Sequence, residues 1–102
     1  MKDYTQAEVL QSLLNITKKS RKRILVDRRS YLISILAFKF KLTEYEIANL
    51  TGFNRNTIHY NKKLPITLCK DPQYMENVYT LSQRYPFDHS ELVIRKNNYF
   101  KL

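Results

Sequence analysis

Arg55, Asn56, His59, Tyr60 and Lys63 fall within the stretch IANLTGFNRNTIHYNKKL, residues 47–64. These side chains suit the edges of DNA bases. Arginine pairs through two hydrogen bonds with guanine, and asparagine does the same with adenine. Asn54 begins the run, while Thr57, Lys62 and Lys63 suit phosphate oxygens, which fix position without reading sequence. A few residues upstream, KKSRKRILVDRR places Lys18, Lys19, Arg21, Lys22, Arg23, Arg28 and Arg29 within residues 18–29, and Arg21, Lys22, Arg23, Arg28 and Arg29 are expected to contact phosphate or the minor groove.

Other arrangements promise less. Asp88-His89-Ser90 spells a triad in consecutive residues, but neighbouring side chains do not converge on one substrate atom, and a turn after Pro86 is the simpler expectation. His59, Cys69 and His89 lack metal-ligand spacing. The carboxylates are scattered, and several suit helix caps. The terminal RKNNYFKL mixes cations with aromatic rings that could stack on single strands, a weak signal over eight residues. The expectation is a protein that is not an enzyme and has no metal or other cofactor.

To present these side chains to a groove, the stretch must fold as two helices joined by a tight turn. Ile47 and Leu50 are expected to anchor the first helix, and Ala48 is small where the second crosses it. Gly52, the single glycine of the chain, stands where the turn needs a left-handed backbone. Phe53 fills the turn, Asn54 caps the second helix, and Ile58 turns back to the core. Ala-x3-Gly-x5-Ile before a basic helix end is helix-turn-helix spacing. Asn61 fits worst, since that position is usually apolar; a buried hydrogen bond or a small shift of the helix would accommodate it.

The flanking elements read as helices too. Thr5 and Glu8 have capping-box spacing ahead of Val9, Leu10, Leu13 and Leu14, which predicts a helix to about residue 15. Asp27 is expected to cap a central, buried helix reaching about residue 40. Thr43 and Glu46 form a second capping box, Pro65 is expected to end the recognition helix, and Asp71-Pro72 starts the last one. That helix places Tyr74, Val78, Leu81 and Tyr85 on one stripe. The stripe suits the protein's own core, with a homodimer seam as the rival. The prediction is an all-α domain of about five helices over residues 1–86, with residues 87–102 as a C-terminal tail, arm or short strand.

Charge agrees with the chemistry. Eighteen Lys and Arg against nine Asp and Glu give a formal +9 over 102 residues, which favours a polyanionic partner, duplex DNA first. The longest apolar run, near residues 31–40, is interrupted by Ser34 and Lys39 and is too short to span a bilayer. Met1-Lys2-Asp3-Tyr4 is followed by no apolar leader, and a lone Cys69 forms no internal disulfide. A cytoplasmic protein is therefore expected. Scarce Gly with abundant Ile, Asn, Lys, Tyr and Phe suggests an AT-rich genome, such as that of a low-GC bacterium or its phages and mobile elements.

LNITKKSRKRILVDRRSYLISILAFKFKLTEYEIANLTG resembles the C-terminal DNA-binding domain of the bacterial replication initiator DnaA, a Trp-repressor-like fold. The similarity spans residues 9–64 in coarse pattern: a first helix, an Arg-rich loop, a long central helix and a helix-turn-helix. It implies that an arginine of the loop, matched here by Arg21 and Arg23, enters the minor groove beside the recognition helix. Arg55 sits in Asn54-Arg55-Asn56-Thr57, where the family has an Arg-Asp-His-Thr-type run, and no Gly-rich phosphate loop accompanies it. The expected function is a small transcriptional regulator or origin-binding accessory factor. The alternative is a structural or protein-interaction component, for instance of a phage particle, that keeps the fold without reading sequence.

Overall fold

The computed structural model describes residues 3–16, 22–68 and 70–89. Among them the chain forms six helices and no strand: α1 (Gln6–Leu14), α2 (Arg23–Phe38), α3 (Glu44–Thr51), α4 (Arg55–Leu68), α5 (Pro72–Asn77) and α6 (Tyr79–Arg84). The expected strand or arm at Leu92 and Ile94, and Cys69, lie outside the described residues.

Local signals set most of the boundaries. Thr5 accepts the Glu8 N–H at the start of α1, and Asp71 accepts the Tyr74 N–H ahead of Pro72 at the start of α5. Thr43 and Glu46 exchange both bonds of the capping box on α3. Gly52 closes α3 at φ 77°, where a side chain would meet the following carbonyl.

Burial centres on α2, which packs against α1, α3, α4 and α5, most extensively against α4. Leu32, Ile33, Ile35 and Leu36 of α2 are fully buried with Val9, Ile47 and Ile58. Each such side chain contributes about 1.5–3 kcal/mol relative to exposure. The buried tyrosines dispose of their hydroxyls. Tyr4 OH donates to the Pro86 carbonyl and Tyr31 OH to the Tyr85 carbonyl, each at 2.7 Å. Tyr74 OH pairs with Ser30 at 3.0 Å and Tyr85 OH with Ser12 at 2.6 Å. These bonds fasten α1 and the end of α6 to the same core.

Four local expectations are corrected. Asp27 does not cap α2, which begins four residues earlier at Arg23. Its buried carboxylate instead accepts from Asn77 Nδ2 at 2.9 Å and faces Arg23 Nε at 3.4 Å. Pro65 does not end α4 but lies buried inside it. Tight packing of α4 on α2 outweighs the missing N–H, which a solvent-exposed helix would not tolerate. Leu50 is 46 % exposed, because Thr51, four residues after Ile47, lies nearer the inward direction and is buried in its stead. The last helix is two short ones with a break at Val78 (φ −103°, ψ 6°). There α2 claims Asn77 twice, with Arg28 Nε donating to its carbonyl at 3.1 Å and Asp27 accepting from its amide. The stripe lies as expected in this chain's own core, with Tyr74, Val78 and Tyr85 buried and Leu81 packed against it.

Candidate nucleic-acid interface

The site begins with the turn. Residues 52–54 join α3 to α4, and three contacts hold them. The Gly52 N–H returns to the Ala48 carbonyl at 2.8 Å, the Phe53 N–H donates to Thr51 Oγ1 at 3.2 Å, and Asn54 Oδ1 accepts the Asn56 N–H at 2.7 Å. Asn54 thus caps α4 with its side chain, and Ile58 reaches the core with no exposed surface. Ala48 and Phe53 pack against that core from the turn side.

All six side chains expected at the base edges, Asn54, Arg55, Asn56, His59, Tyr60 and Lys63, are exposed. Five of them, with the half-buried Lys62, form two adjoining rows. Asn56, Tyr60 and Lys63 follow i, i+4, i+7 spacing, and Tyr60 keeps 63 % of its surface in solvent. Arg55, His59 and Lys62 make the second row, which leans on α3. The Arg55 guanidinium lies over the Tyr45 ring, 4.6 Å from its centroid, and also bonds the Tyr45 hydroxyl. Glu44 Oε2 meets His59 Nδ1 and Lys62 Nζ, each at 2.7 Å, and Lys63 Nζ stands 3.1 Å from His59 Nε2. These contacts, the Lys62 ammonium first and His59 second, hold the Glu44 carboxyl down at about 2.

α4 carries no Asp or Glu; the carboxylate of Glu44, on α3, meets its half-buried Lys62 and exposed His59. Spacing did not reveal Glu44 or Tyr45 as part of this surface. Both sit in the first turn of α3, where an acidic residue is already accounted for by the helix dipole. Thr57 is half-buried and its carbonyl accepts from Asn61 Nδ2 at 2.8 Å, which gives the buried Asn61 the hydrogen bond its position demands.

The upstream basic segment divides. Arg21 lies outside the described residues with Lys18 and Lys19, and Lys22 is exposed at the N-cap of α2. Arg23 belongs to α2 itself, and its guanidinium is tied to Asp27 and, at 3.2 Å, to Asp71. Arg28 is half-buried on Asn77, and Arg29 is buried at 8 % exposure, which removes it as a phosphate contact. Arg23 meets carboxylates of the fold, Arg28 a backbone carbonyl, and Arg29 is buried, so charge density alone overstates the outward-facing basic surface.

The Asp88-His89 pair is placed without catalytic geometry. His89 is buried with Nε2 2.7 Å from Ser34 Oγ, and Ser34 itself has no exposed surface. Ser90 is outside the described residues. No group of three or more His, Cys, Asp or Glu able to hold a metal occurs among the described residues, nor is any helix there long and apolar enough to cross a membrane. No family model, curated protein or solved structure matches this chain.

Proposed function

We propose that the chain binds duplex DNA through α3 and α4, with α4 in the major groove, as a small transcriptional regulator or origin-binding accessory protein of a phage or other mobile element. One observation carries this. A glycine turn and an asparagine cap present Asn54, Arg55, Asn56, His59, Tyr60 and Lys63 together on the exposed beginning of one acid-free helix, in a chain of net charge +9. The resemblance of residues 9–64 to the initiator's DNA-binding domain supports the same mode. No catalytic step or cofactor enters this proposal.

Arg55 and Asn56 read base edges, and Lys63 reaches phosphate. Lys62 also reaches phosphate once the anion displaces Glu44. The test is a fluorescence-anisotropy titration of selected and scrambled duplexes. Arg55→Ala is expected to cost about 1–3 kcal/mol on the selected duplex and relax one base position. Lys62→Ala is expected to weaken both duplexes alike. Equal loss on both duplexes for Arg55→Ala would remove the base-reading role.

A protein-interaction component is the second reading. It is favoured by an open cavity of about 340 Å³ between Tyr31, Tyr74, Val78 and Phe87, beside the exposed Met75 and Tyr79. Retention of no duplex at physiological salt would favour it over DNA binding.

A further inference from the structure

The Glu44–His59–Lys63 chain fixes which hydrogen-bond role His59 can play. Glu44 Oε2 stands 2.7 Å from His59 Nδ1, and its carboxyl stays ionised to about pH 2, so it accepts and Nδ1 carries the proton. Lys63 Nζ stands 3.1 Å from Nε2. An ammonium has three donors and no acceptor, so Nε2 must offer a lone pair. Both contacts therefore suit a ring that donates from Nδ1 and accepts at Nε2.

From this geometry we propose that His59 is a specificity-determining residue, and that Glu44 positions it as a hydrogen-bond acceptor in the major groove, favouring adenine or cytosine at the contacted base. In the groove, adenine N6 and cytosine N4 are amino donors, whereas guanine offers only acceptors and thymine an acceptor with a methyl group. When Lys63 turns to a phosphate, Nε2 is the ring atom left facing outward, and it pairs with the amino bases. Glu44 touches no base; it sets the tautomer through Nδ1, as a second partner commonly does for histidine. The inference rests on the DNA-binding proposal and specifies one position of its site.

Two measurements on the full chain keep the failures apart. Long-range proton–nitrogen NMR of the free protein at pH 8 is expected to show His59 protonated on Nδ1, and Glu44→Gln to shift it toward the Nε2 form. Selection from a random duplex pool is then run for the unmodified chain, His59→Ala and Glu44→Gln. One position of the motif is expected to prefer adenine or cytosine by about three- to tenfold, the range of a single hydrogen bond. His59→Ala flattens that position alone, and Glu44→Gln weakens the same preference. An Nε2-protonated ring in the unmodified chain, a preference at the position His59→Ala flattens that survives removal of the adenine N6 or cytosine N4 amino group, or a motif indifferent to His59→Ala overturns the inference. A pool with no enriched motif overturns the DNA-binding proposal and this inference with it, whatever the NMR shows.

Discussion

Asp27 shows how much one side chain decides here. Its carboxylate is nearly fully buried, tied to Asn77 Nδ2, and Asn77 Oδ1 in turn accepts from Gln73 Nε2 at 3.0 Å. Asp27→Ala strands the buried Asn77 amide and is expected to cost about 2–4 kcal/mol, read from urea unfolding midpoints. A loss below about 1 kcal/mol would mean that water replaces the carboxylate. The same residue shows where sequence falls short. Asp27 has the type and place of a helix cap, yet its partner is fifty residues away. Arg29 is the parallel case: a cation in a basic run gives no warning that the helix will turn it inward.

Among the elements, caps were legible and interruptions were not. Thr5, the Thr43–Glu46 pair, Gly52 and Asp71-Pro72 act within four residues of themselves, so type and spacing suffice to place α1, α3 and α5. Pro65 inside α4 and the break at Val78 depend on what α2 presses against them, which no local pattern records. The exposed face of α4 was legible for a related reason, since helical spacing alone puts Asn56, Tyr60 and Lys63 in one row. Glu44 and Tyr45 were not, because their contacts cross from α3 to α4. The turn before α3 contains Lys41 at φ 59°, a left-handed conformation that disfavours side chains with a Cβ. Lys41→Gly is expected to raise stability by up to about 1 kcal/mol in urea unfolding, and Gly52→Ala to lower it by about 1–2 kcal/mol. The reverse order of these two variants would contradict the backbone geometry at both turns.

At the scale of the molecule, a polar seam joins α2 to residues 74–89. Asp27, Ser30 and Ser34 lie at helical spacing on α2 and meet Asn77, Tyr74 and His89. Burial pushes the His89 imidazole down to about 4 from its ordinary 6.5. Between those values the unfolded chain binds a proton that the folded chain refuses, so stability falls as pH drops from about 6.5 to about 4, by about 3 kcal/mol from this group. Glu44, held down at about 2, adds a further loss as pH falls below about 4.5. Urea midpoints at pH 7.5 and 4.5 check the first interval: His89→Gln is expected to abolish most of the fall. A fall as steep in that variant would assign it elsewhere.

The surface follows from the same packing. Arg23, Arg28 and Arg29 serve the interior or its rim, which leaves α4 as the described element whose cations accompany the side chains proposed to read bases. The most direct measurement is selection of the purified chain on a random duplex pool at physiological salt, with sequencing of what stays bound. An enriched motif, altered at one position by Arg55→Ala, is the predicted result. Retention without enrichment, or no retention, would contradict a sequence-reading α4.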